Sequence, residues 1–326
     1  MPATPDALRT ALGALAVTIE EVSVEIGAVA VPSYPDGPRP SSRLTLRGNS
    51  AAGRSEHVGW TDAAHVAFRD RTLPRVPRGT WRLDAWSAAI AGSIAEAYDR
   101  AALEAAAIDL ALRQRDVSLF EIAGHAPQPV RYVVSFGPVP DPAAEARRHG
   151  TVELKVDADP AWDDATFAAL AAAGRIAVLD WKNAGTRADH ERAHRILSDA
   201  LVEDPCWDLA PWSRDLQRRL AADCPLSCAH DVHRLPVRPA AANLKPARMG
   251  GVFEMLAAAT ACQSRGIAVY LGGMFEIGVG RTQLQALAAL LCPDGPNDVA
   301  PIGRAGETPA RPARIQVDGA APGFGA

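Results

Sequence analysis

The spacing of apolar positions changes character twice along this chain. Residues 15–26 alternate in their second half and are rich in β-branched side chains, and residues 44–46 form a second short apolar run. Both predict strands, because alternation presents one face of a pleated ribbon to a core. Between them, PSYPDGP at residues 32–38 cannot hold a regular element and predicts an exposed loop. Over residues 86–114 the period lengthens. Ile90, Ile94, Ala97, Ala101, Leu103, Ile108 and Leu112 recur mostly at three- and four-residue spacing, and alanine has the best helix propensity. Residues 1–125 therefore predict an α+β unit, a small antiparallel sheet followed by helices.

Past residue 126 the rhythm becomes regular. Short apolar runs fall at 132–136, 152–156, 176–179, 201–202, 226–228, 241–244, 267–271 and, faintly, 299–302. Amphipathic stretches lie between most of them, as at 162–173, 190–201, 209–222 and 253–264. Eight short strands, most followed by a helix, predict an α/β fold in which residues 126–302 close a (β/α)8 barrel. A doubly wound open sheet is the alternative, but no Gly-x-Gly-x-x-Gly turn follows an early strand. The tail, 303–326, is rich in Pro, Gly and Ala and predicts poor order.

Composition narrows the classes. A formal charge of −4 argues against a nucleic-acid binder that works by phosphate neutralisation. No apolar run approaches the roughly 18 residues of a membrane span, and the N-terminus lacks the basic-then-apolar order of a signal peptide. Five scattered cysteines are not a disulfide framework, so the expected compartment is reducing and cytoplasmic. Of 34 basic residues only Lys155, Lys182 and Lys245 are lysine. Arginine stays charged at any working pH, whereas a buried lysine can lose its proton and act as a base.

Those lysines fall among carboxylates at predicted strand ends, where a barrel carries its active site. Lys155 ends the second strand (ELKVD) and Asp180 the third (AVLDWK). Glu203 ends the fourth (LVEDP), Asp231 lies just past the fifth (SCAHD), and Lys245 ends the sixth (ANLKP). Glu276 follows the seventh (YLGGMFE), and Asp298 stands at the eighth (PNDVAP). Three carboxylates on adjacent strands make a hard-oxygen site suited to Mg²⁺, with Mn²⁺ as the alternative ion. Lysines from strands two and six would approach it from opposite sides, one as base. Helix N-capping is the plain alternative for Asp180 and Glu203. Cys224-x-x-x-Cys228-x-His230-x-x-His233 resembles a zinc cluster only superficially, since strand alternation would not converge the four.

The order Lys, Asp, Glu, Asp, Lys resembles the enolase superfamily, in particular its muconate-cycloisomerase-like branch with o-succinylbenzoate synthase and the dipeptide epimerases. NLKPARMGG is similar to that branch's sixth-strand segment and GGMFEIGVGR to its seventh. AALEAAAIDLALRQRD resembles the long helix leading into the barrel, and GRSEHVGW stands where the capping domain usually turns. The resemblance implies an N-terminal capping domain over 1–125, with Tyr34 among candidate lid residues. It implies a Mg²⁺-dependent lyase or isomerase for a small carboxylate substrate. Such an enzyme abstracts the α-proton to give a Mg-stabilised enediolate, then eliminates or cycloisomerises. Racemisation or epimerisation on the same scaffold is the alternative, and a diverged, metal-poor barrel that binds a small acid without turnover is another. Lys155 is the implied base, with Lys245 opposite it, and Asp180, Glu203 and Asp231 are the implied metal ligands. Glu276 is read from the residues as an assisting acid or supporting partner, with a plain strand-end turn at GGMFE as the alternative. Homo-oligomers are a further expectation.

Three departures stand against the resemblance. The second strand usually reads Lys-x-Lys, and here it reads Glu153-Leu154-Lys155. The third usually reads Asp-x-Asn, and here Lys182 follows Asp180 by two, as a replacement base or as a cation beside the carboxylates. The fifth-strand ligand is open between Asp231 and a register shifted by one or two positions, which would put Ala229 or His230 where the usual Asp stands.

Overall fold

The computed structural model describes residues 3–30, 37–302 and 311–325. Tyr34 and most of the loop at 32–38 lie outside them. The N-terminal part begins with a helix at Pro5–Gly13, continues through β1 (Ala16–Ile19), β2 (Glu21–Val29), β3 (Arg39–Gly48) and β4 (Ala51–His57), and returns in β5 (Gly79–Arg82). β2, β3 and β4 form an antiparallel sheet, and β1 pairs with β5. The long helical period resolves into two helices, Leu83–Ser93 and Ala97–Gln114. Against the second, Gly53 of β4 lies so close that a Cβ there would overlap the Ala106 carbonyl. Buried histidines are satisfied inside this cap: Ser42 Oγ lies 2.6 Å from His65 Nδ1, and His57 Nε2 is 2.8 Å from Asp99.

The second part is a curled parallel sheet of β6 (Val134–Phe136), β7 (Glu153–Asp157), β8 (Arg175–Asp180), β9 (Leu201–Glu203), β10 (Leu220–Ala222), β11 (Ala241–Leu244) and β12 (Ala268–Leu271), hydrogen-bonded in that order. The fifth strand is therefore residues 220–222. The sequence pattern had put it at 226–228, because β10 is only three residues long and merges with the amphipathic stretch before it. The eighth position is likewise not at 299–302. Asn297 and Asp298 make isolated parallel bridges to Tyr132 and Gly272, joining the two edges of the sheet. Fully buried Asn297 stands in for a strand: its amide donates to the Arg131, Cys292 and Gly295 carbonyls, and its oxygen accepts Leu271 N at 2.8 Å. One side chain thus satisfies backbone groups that a ladder would otherwise pair.

The tail is a further difference. Residues 311–325 do not trail away: Ile315 pairs with Val130 and Phe324 is buried, its N–H donating to Asp109 at 2.7 Å. No described helix is long and apolar enough to cross a membrane.

Among the polar contacts that join cap and barrel, three bear on the parts around the site. Glu56 of β4 accepts the N–H groups of Ile277 and Gly278, both at 2.8 Å. Buried Arg39 of β3 donates to the carbonyls of Val58, Gly59 and Met274. A third joint is Glu104, which accepts Phe253 N at 2.9 Å at the start of the helix Val252–Ser264 and bonds Ser87. Gly251 makes this approach possible, since its φ is 148° and a Cβ there would overlap the Glu104 carboxylate. Gly251→Ala is expected to cost about 2 kcal/mol or more, read from urea denaturation. Burial pushes the Glu104 carboxyl up to about 7 from 4.5 in spite of its hydrogen bonds. The folded chain therefore holds this proton to higher pH than the unfolded chain, and Glu104 costs stability progressively as pH rises from about 4.5 to about 7. Glu104→Gln should gain stability relative to the parent between pH 5 and pH 8, measured as a shift in denaturation midpoint.

Candidate active site

The C-terminal ends of β7 to β12 deliver a compact ionic cluster. Asp180 ends β8 and Glu203 ends β9, and the parallel register pairs these two residues directly. Asp223 follows β10 immediately, and its backbone N–H is held by Asp204 at 2.9 Å. Oxygens of Asp180, Glu203 and Asp223 lie within 4.8 Å of one another, and all three residues are buried. Among the described residues no other group of His, Cys, Asp and Glu is close enough to hold a metal ion.

Cations surround these carboxylates. Lys155 of β7 is buried; its amine lies 2.9 Å from Asp180 and bonds Glu203. Lys245, just past β11, sits 2.7 Å from Asp223, which also bonds Arg248. Lys182 bonds Asp180 and lies 3.1 Å from Asp157 at the end of β7. Glu203 accepts further bonds from Tyr270 Oη at 2.5 Å and Asn243 Nδ2 at 3.2 Å. Burial alone would lower the Lys155 amine, but Glu203 and Asp180 raise it well above its ordinary value, so it is an ammonium in this arrangement. Asp223 shows the converse: burial opposes its ionisation, yet Lys245, Lys155 and Arg248 hold it well below the carboxylate range.

Lys155, Asp180, Lys182, Glu203 and Lys245 thus meet as a group. Asp231 does not join them. It lies in the first turn of the helix Ala229–Arg234, where its carboxylate accepts Ser227 N at 2.9 Å and Cys228 N at 3.0 Å as a cap. The third carboxylate is Asp223, hidden from the sequence pattern by the brevity of β10. Neither Ala229 nor His230 takes that place, since both stand on the same capped helix. Glu276 is also elsewhere: it accepts Met274 N at 2.7 Å within its own loop and faces Arg281, and burial raises its carboxyl. It shapes the loop that the cap holds, and its hydrogen bonds reach none of the clustered side chains. Glu153 lies at the start of β7, paired with Arg131 at 2.5 Å and Arg175 at 2.9 Å, and so leaves Lys155 to its own partners. The cysteines of the apparent zinc pattern are free thiols. Sequence reasoning missed Asp157, Asn243, Arg248 and Tyr270. For two of them a signal existed, because alternation in AANLK places Asn243 on the face of Lys245, and KPAR carries Arg248 one helical turn on.

A capped barrel with lysines on either side of three strand-end carboxylates is the architecture of the enolase superfamily, and comparison with known proteins agrees. Residues 126–304 match the C-terminal domain, and residues 10–122 the N-terminal domain, of a family described as domain of unknown function DUF8230. An N-succinylamino acid racemase from Thermus thermophilus is 30% identical over 222 residues, 63% of this chain and 60% of that protein. An o-succinylbenzoate synthase from Enterococcus faecalis is 29% identical over 205 residues, 56% of this chain and 54% of that protein. The match therefore spans little more than half the length of these curated relatives. A crystal structure of dipeptide epimerase from Methylococcus capsulatus, complexed with Mg and the dipeptide L-Arg-D-Lys, superposes with a TM-score of 0.77 at 22% identity, covering 88% of this chain and 92% of that one. The chain has the fold of the enolase superfamily. By sequence it belongs to the DUF8230 family.

Asp231→Ala should cost about 1 kcal/mol through loss of the cap, seen as a lower urea midpoint. It should leave the ion pairs of the cluster intact, seen as an unchanged chemical shift for the Lys155 and Lys245 amines by NMR.

Proposed function

We propose that this protein is an enzyme that removes the proton α to a substrate carboxylate and then eliminates, closes a ring, or returns a proton. The observation that carries this reading is the pair of buried lysines from β7 and the end of β11, Lys155 and Lys245, bonded to different members of one carboxylate triad. An α-proton leaves readily only if the negative charge that develops on the carboxylate is offset by fixed positive charge.

The triad fits a divalent ion. It offers only oxygen donors, three carboxylates converge within 4.8 Å, and hard oxygen ligands are those that Mg²⁺ selects. Asp180, Glu203 and Asp223 would hold Mg²⁺, with Mn²⁺ as an alternative. When bound, the ion supplies positive charge that offsets the pull of these carboxylates on Lys155 and polarises a substrate carboxylate. The chain's own residues do the rest. Lys155, in a buried site where desolvation disfavours its charged form, would accept the α-proton at Nζ. Lys245, aimed from the other side and held by Asp223, presents an ammonium to the opposite face. Tyr270 and Asn243 fix the Glu203 carboxylate so that it does not rotate away. The cap latch at Glu56 and Arg39 ties the loop after β12 to the cap.

Two amines on opposite faces also favour a racemase or epimerase, in which each lysine serves one enantiomer. An N-succinylamino acid is the substrate class to try first, because similar proteins bear that name. Incubated with it in D₂O and Mg²⁺, the protein should place deuterium at the α-carbon. Lys155→Ala and Lys245→Ala should each slow exchange by about 10²-fold or more, for opposite enantiomers if the reaction is racemisation. Chelation of the ion should abolish it. Undiminished exchange in the double variant overturns the assignment.

A further inference from the structure

Lys182 takes no part in the proton transfer described above, yet it is tied into the triad more closely than a bystander would be. It stands two residues past Asp180 with a φ of 49°, in the left-handed region that non-glycine residues adopt sparingly. This turn folds the side chain back over the end of β8. Its backbone N–H donates to Asp180 Oδ1 at 3.1 Å, and its amine bonds Asp180 Oδ2, the oxygen that also faces Lys155. Lys182 therefore engages both oxygens of a fully buried carboxylate. It has a second acceptor in Asp157 Oδ1, at 3.1 Å, and parallel pairing sets Asp157 directly beside Asp180.

The three lysines differ in their freedom to move. The Lys155 and Lys245 side chains are 3% and 10% exposed, whereas that of Lys182 is 54% exposed. A long, hydrated, four-carbon side chain at a rim can swing at small cost, and a buried one cannot. The carboxylates differ in the same way. Asp180 is fully buried, while the Asp157 side chain is 24% exposed and sits outside the triad. An ammonium and a divalent ion on one carboxylate oxygen repel each other strongly at such separations. One of them must leave.

We propose that Lys182 is a tethered cation that competes with the divalent ion for Asp180 and withdraws to Asp157 when the ion binds. The inference rests on the reading of Asp180, Glu203 and Asp223 as a divalent-ion site. It adds that the site contains its own displaceable occupant and a second carboxylate to receive it. Ion affinity is then set by an exchange inside the protein as well as by the ligands themselves.

Mn²⁺ alone, titrated into the full chain without substrate and followed by the electron paramagnetic resonance of the free ion, tests this. Lys182→Asn and Lys182→Gln should each bind Mn²⁺ about tenfold more tightly than the parent, because the competitor is gone. Asp157→Asn should weaken binding several-fold, because Lys182 then has only Asp180 to pair with. In the Lys182→Asn background, Asp157→Asn should have little effect, since there is no lysine left to receive; that non-additivity is the signature of a shared partner. Competition is overturned if both Lys182 variants bind Mn²⁺ no more tightly than the parent. It is equally overturned if Asp157→Asn weakens binding to the same extent in both backgrounds, which is the behaviour of a distant charge. Asp223→Asn separates the two levels. Mn²⁺ binding that survives in that variant removes the divalent-ion site itself, whereas binding lost there but unchanged in the Lys182 variants removes only the competition.

Discussion

Four carboxylates, Asp157, Asp180, Glu203 and Asp223, meet four cations, Lys155, Lys182, Lys245 and Arg248, in the mouth of this barrel. Most of these groups are buried, and an unpaired charge in such a place is so costly that it would neutralise or unfold its surroundings. The pairing is therefore a condition for the barrel end to exist, and it shapes everything around it. It holds Lys155 protonated and Asp223 ionised. It also demands hydrogen bonds for the lone pairs that the ammonium groups leave over, which is why Tyr270 and Asn243 converge on Glu203.

The architecture serves that condition at a distance. Strand ends deliver the charges in register, so that Asp157, Asp180 and Glu203 are lateral neighbours on three successive strands. The curl that brings β12 back towards β6 is completed by one asparagine whose side chain takes over the work of a ladder. The cap then bonds the loop after β12 through Glu56 and Arg39. The segment NLKPARMGG unites these roles: Asn243, Lys245 and Arg248 serve the ionic cluster, while Gly251 lets Glu104 of the cap's long helix close on the next helix.

The similar proteins carry the names of more than one reaction, a racemase and a synthase among them. In the proposed function the outcomes share one step, the removal of a proton beside a carboxylate, and the paired lysines would address it. What separates them is the fate of the charge afterwards, which depends on the substrate and on side chains at the rim. Lys182 and Asp157 belong to that rim.

Much of this was legible in the residues alone. Period-two runs alternating with period-3.6 stretches gave the class of fold, because burial on a strand and on a helix leaves different spacings in any sequence. The scarcity of lysine pointed to Lys155, Lys182 and Lys245, and the strand ends of ELKVD, AVLDWK and LVEDP pointed to the first carboxylates. The long apolar signals sufficed there. They failed at short elements: a three-residue β10 and a two-residue closure carry too few positions to show a period, so Asp223 was passed over for Asp231 and the last strand was set too late. Local pattern also could not tell a carboxylate that caps a helix from one that faces a cluster, since both follow a strand. That distinction, like the pairing of Lys182 with Asp157 and the placing of Glu276 in its own loop, was decided only when tertiary packing set which charges must share a buried space.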